Sequence, residues 1–213
     1  AELVERIADV EGVKWVRLHY GYPTHFPMDL LRVMRERDNV CKYLDIALQH
    51  VSTKVLKNMR RNITKEDTIE LLQAIRREVP GIYLRTTLMV GFPGESEEDF
   101  LDTLDILKRV RFDAVYGFMY SEREGTRAAT FDGSVEKSVR SERLTRLFEA
   151  QEPISLLMSE RFIGRDLDVL VYSVSEDGIA SATAVCGRLV RFKADDIAEG
   201  DNATVHITGA SSY

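Results

Sequence analysis

Cysteine is nearly missing from this sequence. Its 213 residues hold two, Cys41 and Cys186, far apart and in no CxxC or Cys/His grouping. That spacing excludes a disulfide framework and gives no metal-ligand set that can be read from the chain alone. Two isolated thiols behind a charged opening stretch, with no secretory leader, fit a reducing compartment, and a cytoplasmic location is the expectation. No apolar run approaches the roughly 18–20 residues that cross a bilayer, so no membrane partner is expected. An excess of basic charge is also missing. The net charge of −6 argues against a nucleic-acid-binding surface over the whole chain, though not against a local one. Repeats and low-complexity segments are absent. What remains is the balance of a globular protein, 44% hydrophobic and 30% charged, long enough for one or two domains with a substantial core.

The informative stretch is Leu84-Arg85-Thr86-Thr87-Leu88-Met89-Val90-Gly91-Phe92-Pro93-Gly94-Glu95. Its first half is β-branched and apolar and reads as a buried strand. Gly-Phe-Pro-Gly then breaks the strand. Ser96 is a good N-cap for a helix from Glu97 to Val110, with Phe100, Leu101, Leu104 and Leu107 inward. A glycine turn at the carboxyl end of a parallel strand is where α/β barrels place ligand sites. Arg85, Thr87 and Met89 alternate onto one face, setting a cation in an otherwise apolar strand.

Three further strands read the same way. Lys14–Tyr20 places Arg17 and His19 on one face and Val16 and Leu18 on the other. Lys42–Leu48 divides Leu44, Ile46 and Leu48 from Asp45, Ala47 and Gln49. Asp113–Tyr120 is the fourth. Helices come between them: one opened by Pro27, one capped by Ser52, and one begun by Thr64 with Asp67 three residues on. Strands alternating with helices predict a parallel sheet. Polar residues on the inner faces of three strands suggest an enclosed ligand, because a purely structural barrel interior favours branched apolar residues.

From Ser134 to Phe162 the pattern is a long helix with Val135, Val139, Leu144, Leu147, Phe148, Ile154 and Leu157 at helical spacing, and Pro153 is expected to kink or split it. Beyond it the texture changes to short alternating strands at 166–172, 179–185, 188–192 and 203–207. These predict a small all-β unit of barrel type. The expected division is 1–160 and 161–213.

The succession WVRLHYGYP, YLDIALQH, VLKNMRR, RTTLMVGFPGE and YSEREGT resembles the radical S-adenosylmethionine methylthiotransferase family, and the closing unit resembles that family's TRAM domain. HYGYP with DIALQH is similar to the RimO-like branch, which methylthiolates an aspartate of a small-subunit ribosomal protein. The tRNA-modifying MiaB-like branch is the near alternative. A reading of another class is a non-catalytic adapter that binds a nucleotide or a ribosomal partner. The resemblance implies an α/β fold, the last four strands of an open (β/α)6 radical-SAM partial TIM barrel followed by the small β barrel. It implies S-adenosylmethionine and [4Fe–4S] clusters as cofactors. The family's CxxxCxxC motif and N-terminal domain are not among these residues, and neither cysteine matches a cluster ligand. The chain, which opens on Ala1 inside a helix, therefore reads as a fragment that is inactive alone, with chemistry carried by cluster and cofactor rather than by its side chains.

The resemblance makes this segment most of the cofactor wall. Arg85 is the candidate for the methionyl carboxylate, because a guanidinium pairs bidentately with a planar anion. Gln49 can hydrogen-bond ribose hydroxyls or the amino acid moiety. Gly91 would permit close backbone approach to a flat base. Phe118 or Tyr120 would pack on the adenine. Glu95 reads as a first-turn carboxylate favoured by the helix dipole. In the β unit, residues 162–213 carry four basic against eight acidic residues, a net of −4. Phosphate neutralisation would need the opposite sign. Asp195, Asp196 and Glu199, in one turn with Asp201, are therefore the expected contact for a basic ribosomal protein, with tRNA the less suited partner.

Overall fold

The computed structural model describes residues 1–193 and 196–212. Its first sheet is parallel, in the order β1 (Val16–Gly21), β2 (Val40–Gln49), β3 (Tyr83–Val90), β4 (Ala114–Met119). Helix α1 (Glu2–Ala8) precedes it. Between strands run α2 (Asp29–Glu36), α3 (Thr53–Asn58), α4 (Lys65–Glu78) and α5 (Glu97–Val110). These helices cover one face, where Leu44, Ile46, Leu48, Leu84 and Leu88 meet Val33, Met34, Ile75, Phe100 and Ile106 in one core. The other face is the concave inner one. Register places Asp45 opposite Arg85, Thr87 opposite Tyr116, and Met89 opposite Phe118 there. The polar inner face expected from alternation is thus present, half open to solvent at Tyr116 and Phe118.

Two helices begin on complete capping boxes, Thr64 with Asp67 and Ser96 with Asp99. Three details depart from the spacing argument. Ser52 occupies the N-cap of α3 without capping it, because its hydroxyl donates to Asp99 on α5 instead. Leu101 is 47% exposed, since it lies one position off the buried stripe of Phe100, Thr103, Ile106, Leu107 and Val110. The long helix α6 (Lys137–Glu160) is a single element with Pro153 inside it. Pro153 and Glu149, whose carbonyl loses its partner, both face water, which can satisfy that group. The buried stripe of α6 is mostly polar: Arg143, Leu147, Gln151, Ser155 and Ser159. Phe148 and Leu157, part of the helical spacing read from the sequence, are half exposed. Gln151 and Ser155 are needed inside because they donate to the carbonyls of Phe112 and Asp113 at the start of β4.

The second sheet is antiparallel, in the order β7 (Leu189–Lys193), β6 (Ile179–Ala184), β5 (Asp166–Val174), β8 (Asn202–His206). Its outer strands β7 and β8 both line one cavity of about 720 Å³, so the sheet curls. Val169, Val171, Ala180, Ala182, Ala184 and Val205 form its core. The β6–β7 turn rests on the first sheet. Gly187 there has φ +87°, and a Cβ on it would lie 2.4 Å from Tyr43, an approach only glycine allows. Arg17 of β1 donates to the Ala184 carbonyl at 2.8 Å across the same junction. No helix among the described residues is long and apolar enough to cross a membrane.

Candidate functional site

The Gly-Phe-Pro-Gly-Glu turn is held from within. Glu95 is 5% exposed, and its Oε2 accepts the backbone N–H groups of Gly91 and Phe92 at 2.7 and 3.3 Å. Its Oε1 accepts from Arg143 of α6 at 2.8 Å, and His50 Nε2 lies 3.4 Å from Oε2. Four groups, two from the turn after β3, one from α6 and one just past β2, thus converge on one buried carboxylate, well beyond a helix-dipole contact. Sequence spacing hides this, because Arg143 is 48 residues away. Asp99, below it, accepts from Ser52, Lys54 and Ser96. Burial would raise its pKa, but these hydrogen bonds outweigh burial and hold the carboxyl well below the usual carboxylate range.

Strained backbone gathers at the carboxyl ends of β1 and β2. Tyr20, His25, Gln49 and Arg60 have φ of 61°, 56°, 68° and 57° without being glycine. Such conformations cost about 1–3 kcal/mol each and concentrate where function demands a shape. A cavity of about 410 Å³ opens here. Gln49 and Tyr120 form part of its wall, with Met59, Met89, Phe92 and Phe131 apolar around them and Arg60, Arg61 and Arg127 at its edge. The Tyr120 hydroxyl is buried with no hydrogen-bond partner, and its ring meets Phe92 edge-on at 5.3 Å.

The candidate residues do not all meet in this cavity. Gln49 and Tyr120 do. Phe118 stands beside Met89 on the same inner face, 53% exposed and free to stack. Gly91 requires its φ of +75°, but a Cβ there would lie 2.0 Å from Arg140. The side of Gly91 where a Cβ would stand is thus filled by the Arg140 stem, and the turn requires glycine there. Arg85 lies four residues deeper on β3, roughly 13 Å along a strand. There it pairs with buried Asp45 and covers the Tyr116 ring at 4.7 Å.

Arg85 lines a second cavity, of about 770 Å³, between the parallel sheet and the β6–β7 turn. Tyr43 and Tyr83 stack at 5.4 Å in its wall, and burial pushes the Tyr43 hydroxyl up to about 12. At its floor Asp113, whose side chain is fully buried, accepts from Leu84 N–H, Arg76, Arg161 and Arg188. The sequence reading placed Asp113 at the start of a strand and missed this convergence. Its signal was a lone acid before an apolar strand.

Among the acidic turn residues, Asp196 and Glu199 are exposed, and Asp201 accepts from Ala198 N–H at 2.8 Å to close the turn. Asp195 lies outside the described residues. Cys41 and Cys186 are buried, and burial raises both thiol pKa values. Among the described residues no group of three or more His, Cys, Asp or Glu side chains is placed to hold a metal. The described residues therefore offer no ligand set that fits an iron–sulfur cluster. The orphaned Tyr120 hydroxyl beside Gln49 does fit a polar organic ligand at the strand ends.

A parallel sheet covered by helices, with a cavity beside its glycine turn, defines an α/β protein with a candidate ligand site at the strand ends. The sequence model of the radical SAM superfamily matches residues 1–107, and the chain belongs to that family. Members of it work with S-adenosylmethionine and iron–sulfur clusters. Among curated proteins the chain is similar to ribosomal protein uS12 methylthiotransferases RimO. It is 53% identical to that of Bacteroides thetaiotaomicron over 177 residues, 83% of this chain and 41% of the relative. It is 55% identical to that of Parabacteroides distasonis over the same length and shares. The Bacteroides fragilis protein is 43% identical, covering 100% of this chain and 51% of its own. The chain thus spans about half the length of these relatives. Among solved structures, the radical SAM enzyme coproporphyrinogen III oxidase (HemN) of Escherichia coli matches with a TM-score of 0.54 and 18% identity. That match covers 70% of this chain and 35% of the oxidase, a likeness of fold alone.

Proposed function

We propose that this chain forms the S-adenosylmethionine wall and closing β unit of a RimO-like methylthiotransferase. In that reading, the enzyme adds a methylthio group to an aspartate of small-subunit ribosomal protein uS12. The observation that carries the reading is 43–55% identity to RimO proteins over at least 83% of the chain. The geometry supports it: a cavity at the strand ends, strained at Gln49 and Arg60, holds an unpartnered tyrosine hydroxyl.

Within that proposal Gln49 and the Tyr120 hydroxyl hydrogen-bond the cofactor's ribose or amino acid part, and Phe118 packs on its adenine. Gly91 contributes by the turn that Glu95 holds in place. Arg85, already neutralised by Asp45, reaches the methionyl carboxylate only by sharing its remaining donors. When bound, the cofactor and a cluster supply the radical chemistry, and the cluster's ligands belong to other parts of the full-length protein. Residues 1–160 and 161–213 act as barrel part and TRAM-like part, in the cytoplasm. Asp196 and Glu199, with Asp195, face the basic ribosomal protein.

The test is complementation. A strain lacking its own RimO and carrying the full-length protein should yield uS12 heavier by one methylthio group in mass spectrometry. Unmodified uS12, or a methylthio group on tRNA adenosine instead, refutes the reading in favour of the MiaB-like branch.

A further inference from the structure

The cavity at the strand ends has an edge of one charge sign. Arg60, Arg61 and Arg127 border it, and among the described residues no Asp or Glu does. None of the three lies within 4.0 Å of a carboxylate among the described residues, while Arg85 on β3, Arg143 on α6 and Arg188 before β7 are all paired. This cationic edge stands out in a chain whose net charge is −6.

Arg61 is fixed in place. Pairing of β2 with β3 slips between Ile46 and Gln49, and the Ala47 carbonyl there accepts from Arg61 Nη1 at 2.7 Å. The guanidinium also covers the Tyr22 ring at 5.0 Å. One bond and one ring contact leave most of its five donors unused. Burial lowers the Arg61 pKa, as it does for a cation without a full counter-charge. Arg60 approaches the same cavity from a left-handed backbone, and Arg127 from a 3-10 turn, Arg127–Thr130.

We propose that Arg60, Arg61 and Arg127 form an anion-recognition edge that holds a carboxylate-bearing side chain of the substrate protein over this cavity. The apolar walls at Met59, Met89 and Phe131 suit the aliphatic stem of such a side chain, and the guanidinium forks suit its carboxylate. A neutral amide of the same shape would leave the arginines uncompensated. The inference rests on the function proposed above and names how the substrate is chosen.

The experiment uses the full-length enzyme and two synthetic peptides of uS12 sequence around the aspartate that is modified, one with its aspartates and one with asparagine in their place. Calorimetry should show the aspartate peptide binding about 10- to 100-fold tighter, the range of a charge-assisted hydrogen bond. Arg61→Lys should erase most of that ratio, because an ammonium keeps charge without the fork. Arg61 also holds Ala47, so the exposed pair Arg60→Gln with Arg127→Gln serves as the second variant, and it too should reduce the ratio several-fold. An unchanged ratio in both variants overturns the proposal. So does a fall in S-adenosylmethionine affinity with the peptide ratio intact, which assigns the arginines to the cofactor. Tighter, arginine-dependent binding of an anticodon stem-loop RNA overturns it in favour of a phosphate site. If uS12 is methylthiolated in cells while both variants keep the ratio, the edge is refuted and the function stands. If uS12 is not modified yet these arginines discriminate acid from amide, the function is refuted and the edge stands.

Discussion

Replacing Asp113 by Ala tests how the two sheets are joined. Its buried carboxylate serves Arg76 from α4 at 3.2 Å, Arg161 after α6 at 2.6 Å and Arg188 before β7 at 3.4 Å. It also accepts the Leu84 N–H at 2.9 Å. Removing one partner of a buried ion pair costs about 3–5 kcal/mol, because the other charge stays desolvated. Here the three guanidiniums are 15–26% exposed, so water recovers part of that loss. The orphaned Leu84 N–H adds about 1 kcal/mol. The expected loss is about 3 kcal/mol, and for a chain of this size that is roughly 6–12 °C in melting temperature. Asp113→Asn keeps an acceptor for Leu84 and should lose about 2 kcal/mol. Because Arg188 carries the β6–β7 turn, hydrogen exchange should quicken first in β6 and β7. A double-mutant cycle with Arg188→Met should show coupling of about 1 kcal/mol, since residues sharing one network are not additive. Asp113→Ala within about 0.5 kcal/mol of the parent, or strict additivity with Arg188→Met, would refute this account of the junction.

Glu95→Gln removes the charge opposite Arg143 but keeps an acceptor for Gly91, so a loss of about 2–3 kcal/mol is expected in denaturant unfolding. Pairing it with Arg143→Met should recover part of that loss, and a double variant as unstable as the sum of the singles would contradict the buried pair. Asp99 gives a pH dependence. Its folded pKa lies below the unfolded value near 3.9, so its contribution is fully present above about pH 4 and is lost as pH falls toward the folded value. Acid unfolding of Asp99→Asn should therefore be less steep below pH 4 than that of the parent, and superimposable acid transitions would argue against the hydrogen-bonded carboxylate.

The alternation of strands with helices, the turn at Gly91 and the caps at Thr64 and Ser96 were legible in the amino-acid order, because each depends on neighbours within a few positions. So was the polar inner face at Asp45 and Arg85, since period-two alternation assigns them to one side and the register sets them opposite each other. The motif succession from WVRLHYGYP to YSEREGT pointed to the family, because residues held at one site recur in a fixed order along the chain. Tertiary structure alone decided where charges cancel. Asp45 takes Arg85, Glu95 takes Arg143 and Asp113 takes three arginines, across separations of 37 to 75 residues. It also decided that α6 buries a polar stripe, because the carbonyls at the start of β4 need donors that no local pattern announces. Local sequence sets which groups a strand presents to one side. Which charges lack a carboxylate partner among the described residues, as Arg60, Arg61 and Arg127 do, depends on what the fold brings opposite them, because a charge is neutralised by whatever lies within a few ångströms and not by its neighbours in sequence.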